Sequence, residues 1–175
     1  MNNNDSPVLQ RMHRIVKSLG AVWMVDFEDE DLSILEPGGP FFSDDEIDQV
    51  EREIGFKLPL EYRLFLKHYG CPEFLGYKLM AIYPGGNKDE LPPSDDMARH
   101  YFMNVESGFL KPGEISFLTT DENGTFFYRC QPFDSNEESP SSVYRVVGND
   151  ENPECVAPSM MDLFARWVVE SDGGN

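Results

Sequence analysis

Histidines, cysteines and paired carboxylates are the side chains from which most catalytic sites are built, and this chain spaces them poorly for that work. His13, His68 and His100 each fall on an expected helix, and none has a second histidine at the spacing a zinc-binding helix face requires. No G-x-S-x-G elbow is present to raise a serine nucleophile. Cys71 follows His68 by three residues. It sits where a helix ends, however, and the carbonyl dipole there raises a thiol pKa rather than activating it. Gly85-Gly86-Asn87-Lys88 lacks the spacing and the Ser/Thr of a phosphate-binding loop. Asp26-Phe27-Glu28-Asp29-Glu30-Asp31 is dense in oxygen ligands but has no glycine for the sharp turn of a calcium loop. With 32 acids in the chain, some pair always has the separation a glycoside hydrolase uses, so abundance carries no information. The expected protein is not an enzyme and needs neither metal nor cofactor.

The charge is the strongest compositional signal. A net −18 over 175 residues repels phosphate backbones and anionic lipid, which argues against nucleic acid or a membrane as partner. It attracts a basic protein and speeds the encounter. Cys71, Cys130 and Cys155 are odd in number and without CxxC spacing, as reduced thiols in a cytoplasmic protein would be. The N-terminus has no apolar run long enough for a signal peptide or a span. With 40% hydrophobic residues and 13 phenylalanines, one self-sufficient core is expected over residues 1–175.

The elements that must position everything else centre on 43–70. Ser43 with Glu46 spells a capping box, and Ile47, Val50 and Ile54 mark one helical face. Gly55 stops that helix, and Leu58-Pro59 restarts a second with Leu60, Leu64, Phe65 and Tyr69 as its apolar stripe. Gly70 ends it. Upstream, Val8, Leu9, Met12, Ile15, Val16 and Leu19 predict a helix closed by Gly20. Val22 to Val25 fits a strand or a further helical turn. The first 40 residues thus form a helical extension with an acidic loop.

Downstream the period changes to two. Tyr77, Leu79, Ala81 and Tyr83 predict a strand, followed by a proline-rich acidic loop. Ser94 is placed to cap a helix with Met97, Tyr101, Phe102 and Val105 facing inward. Ile115, Phe117 and Thr119, then Phe126, Tyr128 and Cys130, flank Asn123-Gly124 as a hairpin. Residues 131–142 read as a mobile loop and 143–147 as another strand. Ser159 with Asp162 caps a last helix bearing Met160, Leu163, Phe164, Trp167 and Val168, with 171–175 a frayed tail. The class is α+β: an antiparallel sheet of about four to six strands, helices packed on one side, and a closing C-terminal helix.

Ile47, Val50, Glu51, Ile54, Gly55, Leu58, Pro59, Tyr62, Phe65, Leu66 and Gly70 together resemble the signature of the SUKH superfamily, the Smi/Knr-like proteins. The resemblance continues through Glu114 to Leu118, Asp121 to Gly124 and Tyr128, and closes at Ser159, Leu163, Phe164 and Trp167. It implies a non-catalytic α+β binding domain. Most bacterial members resemble immunity proteins that neutralise a cognate polymorphic toxin, many such toxins being nucleases with basic clefts. Fungal relatives are intracellular regulators, which supplies the alternative of a regulatory or scaffold module. On the immunity reading, the expected partner is a basic toxin. The expected contact residues are the loop acids Asp26, Glu28, Asp29, Glu30, Asp31, Asp89, Glu90, Asp95, Asp96, Glu137 and Glu138.

Overall fold

Ser43 opens the central helix as its sequence requires. Its Oγ accepts from the Glu46 N–H at 3.3 Å, and its own N–H donates to Glu46 Oε2 at 2.8 Å. The computed structural model describes residues 6–23, 41–70, 73–74, 77–80, 82–83, 96–120, 124–148 and 152–172. Its helices are α1 (Pro7–Trp23), α2 (Asp44–Ile54), α3 (Leu60–Tyr69), α4 (Met97–Glu106) and α5 (Met160–Asp172). Its strands are β1 (Glu73–Phe74), β2 (Tyr77–Leu79), β3 (Glu114–Thr120), β4 (Gly124–Arg129), β5 (Val143–Val146) and β6 (Glu154–Ala157).

The strands form one antiparallel sheet in the order β1-β2-β3-β4-β5-β6, so each pairs with its neighbour in sequence. The α+β class, the antiparallel sheet and the closing helix stand as expected. One sheet face meets the helices in a continuous core. At its centre Phe117 stacks on Tyr128 with ring centroids 4.5 Å apart, and Tyr62 of α3 lies 5.6 Å from both. A bulge between Ser116 and Leu118 seats Phe117 there, a register shift that strict alternation does not reveal. The opposite face is partly covered: Phe127, Val146 and Leu110 form a small buried cluster with Tyr144, and the Arg129 guanidinium lies 4.2 Å from the Tyr144 ring centre.

Several elements depart from the sequence expectations. Gly20 does not end α1, which runs to Trp23 and takes in Val22; a single helical glycine costs only about 1 kcal/mol. On α3 the buried face is Tyr62, Phe65, Leu66 and Tyr69, which share one side at i, i+3, i+4 and i+7; Leu60 falls on the far side and is 56% exposed. The cap of α4 is Asp96, whose Oδ1 accepts from the Ala98 N–H at 3.1 Å; Ser94 lies outside the described residues. His100 and Asn104 take the inward positions expected of Phe102, which is exposed. β2 pairs with β3 at Thr119 and Leu118, the Met80 N–H donates to the Phe117 carbonyl just beyond it, and α4 packs against β3.

Residues 131–142 are not a loose loop. Phe56 bridges to Pro132, the Lys57 N–H donates to the Gln131 carbonyl, and the Phe133 N–H donates to the Gly55 carbonyl. Ser139 Oγ accepts from the Gln131 N–H and donates to the Lys57 carbonyl. The segment is thereby stitched to the α2–α3 link. At the end of the chain, α5 packs on α1, whose Leu9, Met12, Val16 and Leu19 are buried. Its first turn receives Glu61 from α3, which accepts from the Met161 N–H, while Arg11 of α1 pairs with Asp162 at 2.5 Å. On the last strand, Arg166 of α5 donates to the Val156 carbonyl, occupying an acceptor on that strand.

Candidate functional site

Of the loop acids expected to meet a partner, Asp26, Glu28, Asp29, Glu30, Asp31, Asp89, Glu90 and Asp95 lie outside the described residues. Asp96 is fully buried and engaged as the α4 cap, so its carboxylate is turned inward rather than offered to a protein surface. Glu137 and Glu138 are exposed on the stitched segment. Glu138 lines a concavity among the described residues, and Glu137 is its neighbour in sequence.

That concavity is an open groove of about 300 Å³ at the α2–α3 junction. Asp48 and Glu51 of α2 form one wall, Lys57 and Leu58 the link, Leu60 and Arg63 the start of α3, and Phe133, Glu138 and Ser139 the far side. Glu51 is the pivot. Although only 2% exposed, it is doubly used: the Leu58 N–H donates to Oε1 at 2.7 Å and Arg63 Nη1 donates to Oε2. Arg63 Nη2 donates to Asp48 Oδ1 at 2.7 Å. Burial works against the Arg63 charge, but these two carboxylates more than offset it and hold the guanidinium firmly protonated. Pro59 at the N-cap of α3 makes no side-chain cap bond, and Glu51 fixes the approach to that helix by holding the N–H of Leu58, the residue just before the cap.

The groove's cations are engaged within the fold. Lys57 Nζ donates to the Ser135 carbonyl, and Arg52 lies 3.8 Å from Asp48 with its guanidinium 5.6 Å from the Phe133 ring centre. Among the described residues Glu138, Glu137 and Asp134 make no side-chain ion pair. The unspent charge at the rim is negative, beside the exposed apolar surface of Leu60 and the half-buried Phe133.

Sequence reasoning passed over this groove. Glu51 is an acid on the same helical face as Ile47 and Ile54, and that was the available signal. Its partners lie 7 and 12 residues away.

Among the described residues, the groups with acid–base or nucleophilic potential are taken up in packing and hydrogen-bond networks. Burial pushes the Cys130 thiol up to about 12, far from a thiolate at neutral pH. Cys155 is exposed on β6, and Cys71 lies outside the described residues. His13 Nδ1 hydrogen-bonds with the Tyr69 hydroxyl, whose own proton is held more tightly by burial. The His68 ring centre lies 6.0 Å from that of His13. His100 Nδ1 lies 2.8 Å from Ser116 Oγ and 3.1 Å from Asn104 Nδ2, a packing network on α4. No group of three or more metal-ligating side chains occurs among the described residues.

The histidines carry a pH signature. Burial lowers the pKa of His13 and His100, and burial, then His13 and Lys67, lower that of His68. A base whose folded pKa is depressed binds fewer protons folded than unfolded between that value and 6.5, so stability rises with pH through this window. Glu61 acts oppositely: burial raises its pKa, and its contribution falls as pH climbs above the unfolded value. Comparison with His100→Gln isolates one histidine. The urea midpoint of the wild type is expected to fall further between pH 7.5 and 5.5 than that of H100Q; equal falls would remove His100 from this account.

Compared with known proteins, the chain is matched over residues 42–166 by the SMI1 / KNR4 family (SUKH-1). The matched region runs from just before the α2 cap into α5, and the groove lies wholly within it. No curated protein matches the chain.

Proposed function

The chain belongs to the SMI1 / KNR4 family (SUKH-1), and from that membership we propose that it is a cytoplasmic immunity protein that binds a cognate secreted bacterial toxin and occludes it without chemistry. The observation that carries this reading is the family match over 42–166 combined with a net charge of −18. An acidic surface complements the basic cleft of a toxin that acts on phosphates, such as a nuclease. Steering by that charge accelerates encounter, and occlusion then depends on contact area rather than on any catalytic group. No helix among the described residues is long and apolar enough to cross a membrane, which is consistent with this role.

Co-expression with a neighbouring toxin gene tests the proposal. The two proteins are expected to copurify, and cells expressing the toxin to survive only when this chain is present. The association rate is expected to drop at least about tenfold between low and high salt, because screening shortens the range of the field. A salt-insensitive rate would remove steering while leaving immunity intact. Failure to copurify with or protect against any such toxin, alongside capture of an endogenous cytoplasmic protein, would return the chain to the regulatory class.

A further inference from the structure

Given a basic protein partner, as proposed above, we infer that the α2–α3 groove is its anchor seat, taking one or two lysine or arginine side chains flanked by apolar residues. Volume sets the scale. About 300 Å³ admits side chains but no folded element, so the groove serves as an anchor point inside a wider interface.

The groove is built before any partner arrives. Backbone bonds from Lys57 to Gln131 and from Phe133 to Gly55, with Ser139 bridging Gln131 and Lys57, fix the far wall to the helix link. A preformed wall spares the ordering cost that a loose loop would impose on binding.

Charge selects the occupant. Arg63 is committed to Glu51 and Asp48, and Lys57 to the Ser135 carbonyl. Glu138 stands at the rim without an ion pair among the described residues, with exposed Asp134 and Glu137 close by in sequence. An anionic ligand would meet Glu138, with the cations that line the groove, Arg63 and Lys57, already engaged. A lysine or arginine meets the opposite situation. Its aliphatic stem lies on Leu60 and Phe133, as long cationic side chains do on apolar surface, while its head reaches Glu138. An adjacent apolar side chain completes the cover over Leu60, which is 56% exposed.

The test uses the full chain, labelled with nitrogen-15, and three capped pentapeptides alternating arginine with leucine, arginine with glycine, and glutamate with leucine. Amide shifts from the arginine–leucine peptide are expected at 57–63 and 131–139, with the other two peptides binding at least about tenfold more weakly. Glu138→Lys and Leu60→Asp are surface changes, and an aspartate in the first turn suits a helix N-terminus, so both variants should fold. Each is expected to weaken the arginine–leucine peptide about tenfold. Shifts centred elsewhere, equal binding of the glycine or glutamate peptide, or unchanged affinity in both variants would overturn the assignment. Full toxin neutralisation by E138K and L60D would overturn the seat and leave the immunity role standing. Localised peptide binding without any toxin neutralised would support the seat and remove the role.

Discussion

Glu51→Ala is expected to cost about 3–5 kcal/mol of folding stability, the scale of a buried ion pair broken from one side. The loss has two parts. The Leu58 N–H loses its acceptor at the entrance to α3, and Arg63 loses the most buried of its carboxylates. An unsatisfied buried donor alone costs about 1–3 kcal/mol. Glu51→Gln retains an acceptor for Leu58 and should be milder. A double-mutant cycle of E51A with Arg63→Ala is expected to show coupling above about 1 kcal/mol, since the two side chains share one network. Urea denaturation measures all four proteins. An E51A variant within about 1 kcal/mol of wild type would show that the pair is not what holds α3 to α2.

Gly124→Ala is expected to cost more than about 3 kcal/mol or to prevent folding, for steric reasons. Gly124 adopts φ +85°, and a Cβ there would stand 2.2 Å from the Val146 carbonyl oxygen of β5. That oxygen belongs to backbone paired with β4, and it cannot retreat without opening the ladder. Gly148→Ala separates the two contributions. Gly148 also has a positive φ, of +56°, but nothing lies within 4 Å of its added Cβ. Only the conformational penalty applies there, about 1 kcal/mol. Thermal melts of the two variants should differ widely, and similar melts would mean that the β4–β5 contact yields easily.

What the sequence made legible was local. A capping box is written in four residues, and both expected boxes have their serine and acid in place, Ser43 with Glu46 and Ser159 with Asp162. Gly55 takes the left-handed cap at φ 80°, and Gly124 begins β4 opposite Thr120. The features that were missed are set by distant parts of the chain. β1 has two residues and β6 four, too short for alternation to register, and each exists because a neighbouring strand is already in place. The bulge at Phe117 depends on what the ring meets across the core. The groove is the clearest case, since Ser139 reaches the Lys57 carbonyl across 82 residues. Polar, proline-bearing composition made 131–142 look loose, yet its backbone groups find partners on the α2–α3 link.

The pairing of α1 with α5 has a consequence for the order of synthesis. Strands that each pair with the next can zip up while the chain is still emerging from the ribosome, β2 waiting only until α4 and β3 have followed it. The first helix has no such advantage. Leu9, Met12, Val16 and Leu19 remain without most of their cover until Met160–Asp172 is translated, and only then can Arg11 find Asp162 and Glu61 the Met161 amide. Until then the nascent chain carries an amphipathic helix with its apolar face uncovered, a period in which a chaperone can hold it. α5 is the latch that ends that exposure.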